Sequence, residues 1–158
     1  MDKLTRKALR GFYFGDISPR PFEEWLYKDS VLEKLFPDEY LTLISLDYKR
    51  KEDCWKAKET IRKIYDTRDP ELLFKHKTLE TVRGMLDETI PLENGCQLLT
   101  DWYDEGMTFI PIGFVGYDSE FTDERRRDTF DMLAFYSDEI IEDCKILLND
   151  LKQYAEDV

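Results

Sequence analysis

The chain has 158 residues, 42% of them hydrophobic and 14% aromatic, and a formal net charge of −12. A chain of that length can bury a real core without staples, and its apolar residues are spread too evenly for disorder. The acidity works against surfaces that hold nucleic acid or anionic lipid, and attracts basic partners over about a Debye length, ~8 Å at physiological salt.

The chain reads as punctuated by proline rather than divided by linkers, and no repeat or low-complexity segment stands out. It is therefore expected to form one domain over residues 1–158. Residues 1–17 are poorly determined. Asp16 or Ser18 then precedes two prolines that suit a first helical turn, where a missing N–H costs nothing. Phe22, Trp25, Leu26, Leu32, Leu35 and Phe36 recur at helical spacing, which predicts one helix or two short ones from Phe22 to Phe36, stopped before Pro37.

Tyr40, Thr42, Ile44, Leu46 and Tyr48 alternate, and a buried strand is slightly favoured there over a helical turn. "KEDCWKAKETIRKIYD" places Cys54, Ala57, Ile61, Ile64 and Tyr65 on one stripe of an amphipathic helix. Asp69 caps the next helix, with Pro70 at its first position and Leu72, His76, Leu79, Val82 and Leu86 inward. A further helix carries Cys96, Leu99, Trp102 and Tyr103 inward and stops at Gly106.

"FIPIGFVGYDSEF" follows. Pro111 cannot donate to a sheet ladder, so Phe109–Gly116 is expected as an edge strand or extended loop, with "YDSE" turning the chain. Thr122 is then placed to cap "DERRRDTFDMLAFY" and Ser137 to cap "DEIIEDCKILLNDLKQYAED". Ile140, Cys144, Leu147, Leu151 and Tyr154 form a seam at 4-3 spacing, suited to a bundle core or a dimer. The expected fold class is α+β and predominantly helical, with amphipathic helices around a small or irregular sheet.

Chemistry-bearing motifs are scarce. Cys54, Cys96 and Cys144 lie far apart, which argues against a disulfide framework or zinc knuckle and fits a reducing compartment, hence the cytoplasm. A single histidine, His76, makes a His-based metal site improbable and reads as a core residue before a nucleophile's base. The basic N-terminus lacks an apolar stretch of signal type, and no run is long enough to span a membrane. GxSxG, P-loop, GxGxxG and HExxH patterns are absent. No metal, cofactor or catalytic residue is therefore expected, although a carboxylate hydrolase needs no linear motif. Trp25, Trp55 and Trp102 each fall on an apolar stripe and read as core. The clusters at 49–51 and 125–127 are too diluted by acids for nucleic acid.

Two stretches, "PFEEWLYKDSVLEKLFPDEYLTLISLDYK" and "DWYDEGMTFIPIGFVGYDSE", resemble small bacterial immunity proteins of contact-dependent or polymorphic toxin systems. The residues that carry the likeness include Phe22, Glu24, Trp25, Tyr27, Leu32, Tyr40, Leu43, Ile44, Leu46, Asp47 and Tyr48. The resemblance covers about a third of the chain and implies a cytoplasmic protein that binds and neutralises a cognate toxin domain. A basic toxin would suit the acidic surface; an adaptor or regulatory protein is the alternative. Interfaces of such proteins vary, so none is carried over.

From the residues themselves, the candidate partner-binding face is Asp101, Tyr117, Asp118, Glu120, Phe121 and Asp123. Aromatics and acids there surround a glycine-containing turn, beside the most acidic third of the chain. The competing structural reading makes Phe121 a core residue and the acids a helix start. The oligomeric state is left open.

Overall fold

The computed structural model describes residues 1–67, 69–122 and 132–157. Among them there are nine α-helices and a closing 3-10 turn, and no strand. The expected sheet is thus replaced by helices at both of its proposed positions. The chain forms two compact units, one built on Met1–Leu73 and one on Phe74–Glu156.

The first unit begins with α1 (Lys3–Phe14), whose N-terminus is capped by Asp2 accepting from the Thr5 N–H at 2.8 Å. Helix α2 (Pro19–Leu26) opens on proline, as expected, and α3 (Ser30–Leu35) is capped by Asp29. Asp29 Oδ1 accepts from the N–H groups of Val31 and Leu32, while Oδ2 accepts from the Thr5 hydroxyl at 2.7 Å. One carboxylate therefore starts α3 and ties it to α1.

Helix α4 (Pro37–Ile44) occupies the place where a strand was favoured. Pro37 at its first position and Asp38 and Glu39 in its first turn all suit a helix N-terminus. Its packed residues are Tyr40, Leu43 and Ile44, a helical stripe, while Leu41 is exposed. The alternation through Tyr48 was produced by a helix followed by turns. Helix α5 (Lys51–Asp66) buries Ala57, Ile61, Ile64 and Tyr65 as its periodicity predicts, with Cys54 half-buried.

Aromatic packing closes this core. The Phe12 and Phe22 rings stack with centroids 4.1 Å apart, and Tyr48 meets both edge-on. The buried Tyr48 hydroxyl donates to the Leu43 carbonyl, and that of Tyr65 to the Arg6 carbonyl. Trp25 is partly buried against the core. Trp55, expected inside, is 61% exposed, because its position on α5 lies off the Ala57–Ile61–Ile64 stripe.

In the second unit α6 (Leu72–Leu86) buries residues on a broad face: Phe74, His76, Thr78, Leu79, Thr81, Val82 and Met85. Asp69 caps the turn before it, accepting from the Glu71 N–H, so Pro70 precedes the helix rather than opening it. Helix α7 (Leu92–Asp104) buries Cys96, Leu99 and Trp102 as expected. Gly95 is buried there because a side chain would collide with Met85. Gly106 ends the segment at φ +97°, and the Met107 N–H returns to the Trp102 carbonyl.

Helix α8 (Gly113–Thr122) stands where an edge strand or loop was expected. Pro111 is accommodated just before it, and the Pro111 and Ile112 carbonyls accept its first bonds. The Thr122 hydroxyl bonds back to the Asp118 and Ser119 carbonyls. Helix α9 (Met132–Asp150) runs through Ser137 without a break, so Ser137 is interior and its hydroxyl bonds back to Ala134. Four residues of the predicted seam, Ile140, Cys144, Leu147 and Leu151, are buried, while Tyr154 is half-buried in the closing 3-10 turn. The segment "DERRRDTFD" lies outside the described residues, and so does the proposed helix start on it.

One device recurs. The Ile17 N–H bonds to the Gly11 carbonyl at 2.9 Å, and the Ile90 N–H bonds to the Gly84 carbonyl at 2.9 Å. In each case the isoleucine side chain folds back onto the glycine, so close that a Cβ there would meet Cδ1 at 2.7 Å. Between them sits a residue with positive φ, Gly15 at 89° and Glu88 at 63°. Gly11 to Gly84 and Ile17 to Ile90 are both 73 residues apart, as are Thr5 to Thr78 and Arg10 to Arg83. The matched residues are too few to mark a repeat in the sequence.

Candidate functional site

Charge is divided sharply along the chain. Residues 1–73 hold 15 Lys/Arg and 15 Asp/Glu, whereas residues 74–158 hold 8 and 20. The entire net charge of −12 therefore lies in the second stretch.

Helices α7, α8 and α9 gather part of it. Asp118 on α8 is half-buried, and its carboxyl is raised above the usual value by burial and by the neighbouring Asp101 and Asp104 of α7. Tyr117, one residue earlier, donates its hydroxyl to Asp143 Oδ2 on α9 at 3.0 Å. Burial, that hydrogen bond and the charges of Asp143 and Glu139 push its phenol up to about 12. Gly113 makes room for this pair: a Cβ there would approach Asp143 Oδ2 to 3.2 Å.

Aromatics adjoin the acids. The Tyr117 ring lies 5.6 Å from Tyr136, which in turn meets Phe135 edge-on at 4.8 Å. Phe135 is 58% exposed. Phe114, fully buried, supports Tyr117 from below at 6.2 Å. The result is an acidic face with an aromatic cluster on it: carboxylates from three helices, Tyr117 and Tyr136 half-buried, and Phe135 projecting.

The sequence-derived candidates separate on this geometry. Asp101, Tyr117 and Asp118 come together. Glu120 is half-buried on the same helix. Phe121 is buried, so its structural reading holds and it leaves the face. Asp123 lies outside the described residues. The face gains Asp104, Phe135, Tyr136, Glu139 and Asp143. Phe135, Tyr136, Glu139 and Asp143 were missed because "DMLAFYSDEIIEDC" was divided at Ser137, which hid that Tyr136, Glu139 and Asp143 share one helical side at 3- and 4-residue spacing. Asp104 was missed because only the packing of α7 on α8 brings it to Asp118.

The inward cysteines give no sign of reactivity. Cys96 and Cys144 are buried, and burial first pushes each thiol up to about 12. Among the described residues no group of His, Cys, Asp and Glu could hold a metal, and no helix is long and apolar enough to cross a membrane. Compared with known proteins, the chain matches no family model, no curated sequence and no solved structure.

Proposed function

We propose that the protein acts by binding another protein, and that it neutralises a basic toxin domain through the acidic, aromatic face of α7, α8 and α9. One observation carries the reading. The whole net charge of −12 sits in residues 74–158, and there burial first, and then the charges of Asp101 and Asp104, set the Asp118 carboxyl against its own ionisation. Folding gains nothing from that repulsion. A cationic partner would relieve it, and complementary charge steers encounter and sets specificity.

Tyr117, Tyr136 and Phe135 supply what charge does not. Aromatics dominate binding hot spots, and these stand amid carboxylates in a core-and-rim arrangement. The toxin class rests on the resemblance to immunity proteins in "PFEEWLYKDSVLEKLFPDEYLTLISLDYK" and "DWYDEGMTFIPIGFVGYDSE".

The test is growth of a bacterial host producing the basic toxin domain encoded beside this protein's gene, where the proposal expects one, with and without this protein. Rescue by the wild-type chain, lost on Asp101→Lys with Asp118→Lys, is the expected outcome. Failure of the wild-type chain to rescue, or full rescue by the charge-reversed one, would overturn the proposal.

A further inference from the structure

The first unit carries a surface of opposite character. A groove of about 500 Å³ opens beside α1 and the start of α5. Its rim includes Lys49, Lys51 and Lys58, and its apolar lining includes Phe12, Ile17 and Tyr48. No Asp or Glu among the described residues lines it. In a chain that has 35 Asp/Glu against 23 Lys/Arg, three lysines around one groove without an acid set it apart.

The lysines are not consumed by folding. None of the three makes an ion pair among the described residues; Lys58 Nζ lies 5.9 Å from the centre of the Tyr13 ring. Two acids close by in sequence have other bonds. Asp53 pairs with Arg50 and Lys56, and Asp47 Oδ1 accepts the Lys49 backbone N–H. Trp55, 61% exposed, sits four residues after Lys51 and three before Lys58, hence on the same side of α5. An exposed tryptophan between unpaired cations is a hot-spot composition.

We propose that this groove is a second docking surface, which takes an acidic polypeptide segment with an apolar residue between its carboxylates. The carboxylates would meet Lys49, Lys51 and Lys58, and the apolar residue the floor at Phe12, Ile17 and Tyr48. A peptide suits the site better than nucleic acid does. A phosphate chain needs cations along its whole track, and on α5 Lys51 and Lys58 are each followed directly by a glutamate, Glu52 and Glu59. The inference does not depend on the toxin-binding reading, since it concerns the other unit and the opposite charge.

The experiment is a fluorescence-anisotropy titration with a labelled, acetylated peptide of repeating Glu-Leu-Glu at low salt. Saturable binding that weakens with salt is expected. Lys49→Glu, Lys51→Glu and Lys58→Glu combined should weaken it at least about tenfold, as loss of a complementary charge patch does. The same charge change at the exposed Lys28, Lys34 and Lys63, outside the groove, should weaken it far less. Trp55→Ala should weaken it several-fold. Circular dichroism confirms folding of each variant, and the three single Lys→Glu changes decide the matter if the triple variant unfolds. Absence of saturable binding to the wild-type protein would overturn the proposal. So would equal losses in the two triple variants, or tighter binding of a single-stranded oligothymidylate of equal charge.

Discussion

The two units end their first helices with the same device and then dress their surfaces differently. Gly11 and Gly84 each receive an isoleucine six residues on, with a positive-φ residue between. Yet residues 1–73 are charge-balanced and residues 74–158 carry all the excess acid. Because the shared turn works equally in a neutral and in an acidic setting, the acid is surplus to it. That surplus is the part of the molecule that folding leaves unexplained and that the proposed binding would explain.

The comparison can be broken first at the two cores. Phe22 and Phe114 are fully buried, one in each unit. Alanine at either should cost roughly 3–5 kcal/mol in chemical denaturation. Phe121→Ala should fall near the same range, since Phe121 is only 8% exposed. A much smaller loss at Phe121 would return it to the binding face.

The shared turn offers a sharper test. Gly11→Val and Gly84→Val should each destabilise by about 1–3 kcal/mol through collision with Ile17 and Ile90. The residues of positive φ should respond with opposite signs. Gly15→Ala should cost roughly 1 kcal/mol, whereas Glu88→Gly should gain up to about 1 kcal/mol, because a side chain in the left-handed region is strained. Equal signs at the two positions would mean that the turns are alike in shape but not in energetics.

The smallest expected change separates folding from function. The Asp118 carboxyl titrates above its unfolded value of 3.8, so folding penalises its ionised form. The penalty is complete above the raised native pKa and vanishes below 3.8, where both states are protonated. Asp118→Asn should therefore stabilise the protein at neutral pH, by no more than about 1 kcal/mol for so exposed a cluster. The gain should disappear as acid is added. A destabilised Asp118→Asn protein at neutral pH would show that the acidic face contributes to the fold.

Much of the helical content was legible in the sequence. The stripes Ala57–Ile61–Ile64–Tyr65 and Ile140–Cys144–Leu147–Leu151 were read correctly because each helix buries one narrow side. The two errors toward strand share a cause. Residues 40–48 and 109–116 have β-forming side chains in short segments where proline opens a helix or just precedes one, and period alone cannot separate helix from strand over so few residues. Trp55 misled because an aromatic near a stripe was taken as part of it. In the candidate site, Asp101, Tyr117 and Asp118 were found from composition. Asp104, Glu139 and Asp143 required the packing of α7, α8 and α9, since residues distant in sequence meet only in the fold.

The most direct measurement is the association rate between this protein and the basic toxin domain proposed as its partner, followed by stopped flow across a salt series. The wild-type rate should fall steeply as salt screens the acidic face. Asp101→Asn, Asp118→Asn and Asp143→Asn combined should lower the low-salt rate by about tenfold or more and flatten the dependence. A wild-type rate indifferent to salt, or a variant that associates as fast as wild type at every salt concentration, would contradict the account.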